Sequence, residues 1–308
     1  MPNIDPHIAK TLIDQSLAQL NQIVLGKEKE TKLALCCVLA QGHLLIEDIP
    51  GMGKTTLSHA LARTLGLKYK RAQFTSDMLP ADIIGGNIFD KNSGKLLFQR
   101  GPIFSNIVLA DEINRAPPKT QSAMLEAMEE KRVSIDGRTR DLSNPFVVIA
   151  TQNPVEQSGT YPLPESQLDR FMMRISLGYP SEEDEKALLT GKSRTTLLES
   201  VSPILNEEQV IALQEMSHSI QVPDKVIDYV FRLAKFSREL ERQHGLSPRA
   251  NLSLISAARA WAFLNHRETV IPDDIQDVFP YICDHRMPHS HSQSQKISNK
   301  ILNSVDIF

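Results

Sequence analysis

The sequence predicts an α/β domain built on a parallel sheet, followed by a smaller, all-helical domain. Short apolar segments alternate with segments of helical periodicity up to Tyr179, and helical periodicity dominates from Ser181 onward. Strands separated by helices favour parallel pairing in a layered domain, because the crossover helices cover the sheet. A chain of 308 residues also exceeds the usual size of one domain. We therefore expect two domains, over residues 1–185 and 186–308.

The first domain contains four segments with the short apolar pattern of buried strands. They cover residues 43–48, 68–74, 106–111 and 146–151. Leucine and alanine at helical spacing predict helices over residues 55–66 and 118–130, and Gly66 is a typical C-terminal stop. Two β-hairpins are expected over residues 87–98 and 132–142, because each has two short strand-like runs around a turn signal.

The second domain is expected to consist of helices. Helical periodicity covers residues 181–191, 206–220, 224–240 and 251–265. Ser181 is a suitable N-cap, and the four acidic residues after it favour the positive end of a helix. Residues 287–300 are polar and predict a loose, solvated tail. His285, His289 and His291 could bind a metal there, but a solvated tail is the favoured interpretation.

Composition excludes several classes of protein. The net charge of −3 gives no positive field that would attract nucleic acid, so nucleic acid is not the default partner. The three cysteines have no C-x-x-C spacing and are expected to be buried thiols. The first ten residues lack a signal-peptide pattern, and no apolar run reaches the roughly 18 residues of a membrane helix. We expect a cytoplasmic protein without membrane insertion.

Residues 48–55, which we call the phosphate loop, have the sequence DIPGMGKT and contain most of a phosphate-binding motif. The pattern G-x-x-x-x-G-K-[ST] requires glycine where this chain has Asp48. Phosphate binding needs flexible backbone whose N–H groups converge on the anion, followed directly by a helix. Gly51 and Gly53 provide that flexibility, Lys54 a charge for the β/γ oxygens, and Thr55 a hydroxyl for magnesium. The site is expected to be intact if Asp48 adopts the required backbone geometry.

A second motif lies at the end of the strand predicted over residues 106–111. Asp111 would hold the magnesium shell and Glu112 would polarise the attacking water, because phosphoryl transfer depends mainly on positioning and charge stabilisation. Two carboxylates at a strand end could also cap a helix. Asn153 follows the strand over 146–151, where its amide could orient the water, although alone it would be an ordinary turn residue before Pro154.

These motifs belong to four longer blocks: GHLLIEDIPGMGKTTL, VLADEINRAPPKTQSAMLEAMEEKRVSIDG, VIATQNPVEQSGTYPLPESQLDRFMMRI and LSPRANLSL. Together the blocks, which run from about Gly42 to Asn251, resemble the signature sequences of MoxR-type AAA+ ATPases. The resemblance implies an AAA+ P-loop domain with a parallel sheet flanked by helices, followed by an all-helical lid. Members of that family often carry aspartate at the position of Asp48, so the departure from the motif is a family feature.

The resemblance also implies roles for individual residues. Asn153 matches the sensor 1 position, Arg170 the arginine finger that reaches the nucleotide of a neighbouring subunit, and Arg249 sensor 2. Arg115 matches a position at a subunit boundary. The adenine base of the nucleotide would contact Val24, Leu25 and Gly26. Its phosphates would contact the phosphate loop and the residue after it, through Pro50, Gly51, Met52, Gly53, Lys54, Thr55 and Thr56. The two hairpins match family inserts that contact a client or partner.

The expected function is that of a ring-forming ATPase, with ATP and Mg²⁺ as cofactors, that remodels or activates another protein. The resemblance implies a hexameric ring and a partner with a von Willebrand factor A domain. One alternative is a scaffold that binds ATP but hardly hydrolyses it, although Glu112 and Arg170 argue against this. Another is a DNA-remodelling AAA+ machine, which the basic residues of the second hairpin would favour: Lys131, Arg132, Arg138 and Arg140.

Overall fold

The computed structural model describes residues 4–91, 94–153, 160–190, 194–240, 245–287 and 297–307. Within these ranges the chain forms a five-stranded parallel sheet, two separate β-hairpins and thirteen α-helices. The sheet consists of β1 (Leu44–Glu47), β2 (Tyr69–Gln73), β5 (Ile107–Asp111), β8 (Val147–Gln152) and β9 (Met173–Ile175). The four strands predicted from the sequence are confirmed, and β9 is an additional one.

The strand order is β2-β5-β8-β1-β9, and all neighbouring pairs are parallel. Alternate residues of the central strands enter two hydrophobic clusters: Leu44 and Ile46 face one cluster, and Leu45 faces the other. Parallel strands end at the same edge of a sheet. The phosphate loop after β1, Glu112 after β5 and Asn153 after β8 therefore meet at that edge.

Helices cover both faces of the sheet. One face packs against α1 (Pro6–Ile23), α2 (Glu28–Leu39) and α3 (Lys54–Thr64), and the other against α4 (Pro80–Ile84) and α5 (Pro118–Glu130). Gly66 follows α3 with a φ of 62°, as expected for a glycine that ends a helix. The α3 and α5 helices predicted from leucine and alanine spacing are thus confirmed.

Both predicted hairpins are present. They are formed by β3 (Gly85–Asp90) with β4 (Lys95–Arg100), and by β6 (Arg132–Ile135) with β7 (Arg138–Asp141). Positive φ angles at Asp136 and Gly137 form the tight turn of the second hairpin. The Arg140 guanidinium lies 3.8 Å from the centroid of the Phe98 ring, so the two hairpins contact each other.

The C-terminal part is helical, as predicted. Its helices are α7 (Glu182–Thr190), α8 (Arg194–Ser200), α9 (Glu207–Ser219), α10 (Asp224–Leu240), α11 (Pro248–Leu264), α12 (Pro272–Cys283) and α13 (Ile297–Ser304). Ser181 caps α7, because its Oγ accepts a hydrogen bond from the Asp184 N–H at 3.2 Å. These helices also pack on the N-terminal ones: Cys36 Sγ lies 3.3 Å from the Ala257 carbonyl oxygen. The proposed division between residues 185 and 186 falls within α7.

The loose, solvated tail predicted over residues 287–300 is wrong in part. Residues from Ile297 form α13, because Ile297 and Ile301, one helical turn apart, are both buried among the neighbouring helices. His285 is also buried rather than solvated, with its Nε2 at 3.0 Å from the Phe171 carbonyl oxygen. His289 and His291 lie outside the described residues.

Three other expectations concern the described part of the chain. All three cysteines are buried and unbridged, as predicted. Among the described residues, no group of three or more His, Cys, Asp and Glu side chains is arranged so that it could hold a metal ion. None of the helices in these ranges has both the length and the apolar sequence needed to cross a bilayer.

Candidate active site

The phosphate loop has the backbone conformation that its two glycines permit. Gly51 and Gly53 both have φ of 89°, and Gly53 is the N-cap of α3. A Cβ atom at either glycine would meet nothing within 4 Å, so backbone conformation, and not lack of space, favours glycine there. The loop lines an open cavity at the sheet edge with these residues: Pro50, Gly51, Gly53, Lys54, Thr55, Thr56, Arg71, Asp111, Glu112 and Asn153.

Asp48 occupies the motif position where glycine is usual, and its φ is not positive. Its carboxylate accepts hydrogen bonds from the backbone N–H groups of Leu177 at 2.6 Å and Gly178 at 2.7 Å, and from the Ser176 hydroxyl at 3.1 Å. A second carboxylate oxygen accepts one from the Ile49 N–H at 3.1 Å. Asp48 therefore meets the backbone requirement of the loop and attaches the loop to the segment after β9.

Lys54 is held at the centre of the cavity. Its Nζ donates to the Asp48 carbonyl oxygen at 2.5 Å and to Asn153 Oδ1 at 3.2 Å. Burial lowers the pKa of Lys54, while the carboxylates of Asp48 and Asp111 act in the opposite direction. The Asn153 amide nitrogen donates in turn to Glu112 Oε1 at 3.1 Å. Asn153 thus connects the loop lysine to the glutamate.

Asp111 and Glu112 are held by one threonine of β8. The Thr151 hydroxyl donates to Asp111 Oδ1 at 2.6 Å and accepts from the Glu112 N–H at 2.8 Å. Glu112 has a φ of 57°, a left-handed conformation that non-glycine residues rarely adopt outside constrained sites. Glu112 Oε2 also accepts hydrogen bonds from Gln73 Nε2 at 2.9 Å and Arg115 Nη1 at 2.8 Å.

The cavity has the chemistry needed for a magnesium nucleotide. The Thr55 hydroxyl and the Asp111 carboxylate both line it, and magnesium prefers oxygen ligands of these two kinds. Lys54 and the start of α3 provide positive charge for phosphate oxygens. When bound, the metal would neutralise phosphate charge. Thr55 and Asp111 are the residues that would hold it.

A second, mostly apolar cavity adjoins the first and shares part of the phosphate loop with it. It is lined by Ile23, Val24, Leu25, Lys27, Gly51, Met52, Gly53, Thr56, Gly178, Pro180 and Leu188. Apolar walls of this kind suit a purine base. Of the three predicted adenine-side residues, Val24 and Leu25 line this cavity. Gly26 packs against α7 instead, where an added Cβ atom would collide with the Asp184 carboxylate.

Arg170 and Arg249 lie together, but not among the residues that line the phosphate-loop cavity. Arg170 Nη2 lies 3.1 Å from Glu129 Oε2, and its Nη1 donates to the Leu125 carbonyl oxygen at 2.7 Å. Arg249 forms an ion pair with the same glutamate, and its Nη1 is 3.7 Å from Asp169 Oδ2. One carboxylate of α5 therefore holds both arginines.

Asp169, next to Arg170, connects this cluster to the helical part of the chain. Its carboxylate accepts hydrogen bonds from the Ser247 hydroxyl at 3.2 Å and from Arg286 Nε at 2.7 Å. The Arg286 side chain is only 4% exposed and also donates to the Phe171 carbonyl oxygen at 2.8 Å. The position of Arg170 is thus tied to α11 and to the end of α12.

Comparisons with known proteins identify the family to which this fold belongs. A family model for the ATPase family associated with various cellular activities (AAA) matches residues 43–173, and one for the AAA lid domain matches residues 236–305. Bacillus subtilis "Uncharacterized protein YeaC" is 43% identical over 303 residues, covering 96% of this chain and 95% of YeaC. Mycobacterium tuberculosis "Chaperone MoxR1" is 39% identical over 285 residues, covering 89% of this chain and 75% of MoxR1. The chain belongs to the MoxR family of AAA+ ATPases.

A solved structure shares this MoxR-family fold over almost its whole length. The crystal structure of a protein from Cytophaga hutchinsonii matches with a TM-score of 0.90 and 36% identity, and the match covers 98% of this chain and 96% of that one. The fold expected from the sequence, an AAA+ domain with a parallel sheet followed by a helical lid, is therefore confirmed.

Several residues of the MoxR-family site were not found by sequence reasoning. Arg71 and Gln73 contact Asp111 and Glu112 from a neighbouring strand, Thr151 bridges the two carboxylates, and Glu129 holds both arginines. No local motif marks these positions. The one usable signal was the spacing of Arg71 and Gln73, which lie two residues apart and so share one face of β2.

Proposed function

We propose that this MoxR-family protein is a magnesium-dependent ATPase that acts as a hexameric ring and couples hydrolysis to remodelling of a partner protein. The observation that carries the proposal is the continuous hydrogen-bonded connection around one cavity. It runs from Lys54 through Asn153 to Glu112, and the Thr151 hydroxyl joins Glu112 to Asp111. A scaffold that only bound nucleotide would not require a glutamate positioned in this way.

Each residue then has a distinct role in phosphoryl transfer. Lys54 meets the charge of the β/γ phosphate oxygens, and Thr55 and Asp111 would hold magnesium, which supplies further positive charge to the phosphates. Glu112 polarises the attacking water. Asn153 orients the Glu112 carboxylate through the 3.1 Å hydrogen bond to Oε1. Such positioning supplies most of the catalysis in this reaction class, because the transition state needs little covalent chemistry from the protein.

The separation of the two arginines from the cavity supports a site shared between subunits. Arg170 and Arg249 both contact Glu129, and neither is among the residues that line the phosphate-loop cavity of their own chain. We therefore assign both to the nucleotide of a neighbouring subunit. Head-to-tail contacts of this kind close into a ring, which fits the proposed hexamer.

The partner would contact the first hairpin. Its strands β3 and β4 expose four large apolar side chains, each about half exposed or more: Ile88, Phe89, Leu96 and Leu97. Exposed apolar side chains grouped on one hairpin are typical of a protein-binding surface. The resemblance noted above favours a partner with a von Willebrand factor A domain. The relative from M. tuberculosis that is named a chaperone supports a protein substrate.

The decisive experiment separates nucleotide binding from turnover. Lys54→Ala is expected to abolish ATP binding, because Lys54 meets charge already present in the ground state. Glu112→Gln should keep binding and lose turnover, because Glu112 acts mainly on the attacking water. Calorimetric titration with ATP and a phosphate-release assay measure the two quantities. Equal loss of binding in both variants would refute the assigned roles.

The same Glu112→Gln protein tests the partner. A von Willebrand factor A protein encoded beside this chain is expected to bind that ring more tightly with ATP than with ADP, since linkage makes the nucleotide and the partner favour the same ring state. Titration of the partner into each nucleotide state measures both affinities. Equal affinities would remove nucleotide control from the proposal, and absence of binding in both states would remove this partner class.

A further inference from the structure

Arg71 of β2 forms an ion pair with Asp111, the residue that would hold magnesium. Its Nε and Nη2 both donate to Asp111 Oδ2, at 2.9 and 2.6 Å. The same Nη2 lies 2.7 Å from Gln73 Oε1, which fixes the direction of the guanidinium. Arg71 also lines the cavity together with Lys54 and the phosphate loop. A permanent cation therefore lies at the metal-binding carboxylate.

The sheet places Arg71 there. β2 pairs with β5 in parallel, with Gln73 opposite Asp111, and β2 is the edge strand. Because side chains alternate along a strand, Arg71 and Gln73 share one face and contact Asp111 and Glu112, respectively. The Arg71 side chain is 50% exposed. It can leave Asp111 without disturbing the hydrophobic core.

Both oxygens of Asp111 already have protein donors. Oδ1 accepts the Thr151 hydroxyl proton, and Oδ2 accepts two N–H groups from Arg71. Magnesium requires near-octahedral oxygen coordination at short distance, so it cannot share Oδ2 with a guanidinium that remains in this position. A divalent cation nearby also repels the guanidinium directly. Binding of the metal through Oδ2 therefore requires Arg71 to move.

We propose that Arg71 competes with magnesium for Asp111 and so sets the magnesium concentration at which nucleotide binds tightly. This inference rests on the proposed function, since it assumes that Asp111 holds magnesium beside the nucleotide. Arg71 is a positioning residue in this account. Without magnesium it holds Asp111 in place; with magnesium it yields the carboxylate and increases the metal concentration needed for half-saturation.

The test measures metal binding without relying on turnover. A fluorescent, slowly hydrolysed ATP analogue is bound to the full chain, and MgCl₂ is titrated at constant ionic strength. We expect Arg71→Ala to lower the half-saturating magnesium concentration by about fivefold, the size expected for loss of one partly exposed competing ion pair. Arg71→Lys keeps the charge but not the two N–H donors to Oδ2, so its half-saturating concentration should lie between those of Arg71→Ala and the parent chain.

The matched control is Lys70→Ala. Lys70 is an exposed neighbour on the same strand, and its side chain points to the opposite face from Arg71, so the variant changes net charge equally without touching Asp111. Its magnesium response should equal that of the parent chain. Arg71→Gln, which keeps most of the side-chain stem, replaces Arg71→Ala if that variant does not fold.

The outcomes separate the inference from the proposed function. If the parent chain shows no magnesium-dependent binding of the analogue, the proposed magnesium ATPase site is wrong. If the parent chain responds to magnesium but removal of Arg71 leaves the half-saturating concentration unchanged or raises it, competition at Asp111 is wrong. A decrease in both Arg71→Ala and Lys70→Ala would show a general charge effect and would also overturn it.

Discussion

The Asp48 carboxylate accepts a hydrogen bond from the Gly178 backbone N–H at 2.7 Å, across 130 positions of sequence. It accepts another from the Leu177 N–H at 2.6 Å. These contacts explain why aspartate is compatible with the phosphate loop. The side chain replaces a flexible glycine with a fixed attachment between the loop and the end of the sheet.

Replacing Asp48 with glycine, the usual residue of the motif, should therefore lower the stability of the fold. Asp48→Gly removes the acceptor for three backbone N–H groups and the Ser176 hydroxyl, and we expect the free energy of unfolding to fall by about 2–4 kcal/mol. Urea unfolding measures the change. Asp48→Asn keeps one carbonyl oxygen as acceptor and should lose less. If Asp48→Gly were as stable as the parent chain, the attachment would have no energetic importance.

His43 should make stability depend on pH. Burial lowers its pKa from 6.5 to about 4, because the interior disfavours the imidazolium. Between pH 6.5 and pH 4 the unfolded chain binds a proton that the folded chain does not. The stabilising contribution is present above pH 6.5 and is lost as pH falls toward 4, by at most about 3 kcal/mol.

The His43→Asn variant tests this dependence. His43 Nδ1 accepts a hydrogen bond from the Val148 N–H at 3.0 Å, and the asparagine Oδ1 can take over that role. Free energies of unfolding at several pH values from 7 to 4.5 should fall less steeply in the variant. Identical slopes in both proteins would show that His43 does not cause the pH dependence.

Arg286 should contribute more to stability than a surface arginine. Arg286→Ala leaves the partly buried Asp169 without its main partner, and the expected cost is about 2–4 kcal/mol. Arg232→Ala is the control, because Arg232 is partly exposed and donates to the backbone carbonyl oxygen of Ile307 at 2.7 Å. It should cost less than about 1 kcal/mol. Similar losses in urea unfolding would contradict the role assigned to Arg286.

Mixed rings should reveal which subunit supplies the two arginines. Arg170→Ala rings should be inactive alone, since a finger contributes roughly 10³-fold or more to the rate. When Arg170→Ala subunits are mixed with Lys54→Ala subunits, activity should return at interfaces where the phosphate loop of one subunit and the finger of its neighbour are both intact. At equal mixing, such interfaces are about a quarter of the total. ATP hydrolysis over a range of mixing ratios is the measurement.

A second mixture is the matched control for Arg249. If Arg170 and Arg249 both act on the neighbouring nucleotide, each interface of an Arg170→Ala and Arg249→Ala mixture lacks one arginine. No activity should return. Recovery in this mixture would place Arg249 in its own subunit's site. No recovery in either mixture, with mixed rings shown to form, would refute a shared site.

Sequence patterns predicted the parts of the fold that depend on local chemistry. Four strands, both hairpins and the Ser181 cap followed from periodicity, turn residues and capping preferences. β9 was missed because a strand of three residues is too short for a periodic signal. α13 was missed because its polar residues outnumber Ile297 and Ile301, whose burial depends on helices distant in the sequence.

The residues of the candidate site also fall into two groups, those that a local motif marks and those that only tertiary contacts bring to the site. Lys54 and Thr55 lie in one continuous motif, and Asp111 and Glu112 lie in another, so all four could be recognised from the sequence. Arg71 and Glu129 could not, because their contacts depend on the pairing of β2 with β5 and on the approach of α5 to α11. Such contacts follow from strand register and helix packing, which the local sequence does not determine.

The segment between β9 and α7 carries a consequence for how the lid could move. Its Gly178 has a φ of 60°, a Cβ atom added there would meet nothing within 4 Å, and its N–H is attached to Asp48. One residue later, the Tyr179 carbonyl oxygen accepts a hydrogen bond from Lys27 Nζ at 2.8 Å. The segment that leads into α7 is therefore attached at adjacent residues to the phosphate loop and to Lys27, so the lid and the two cavities share these two fixed points.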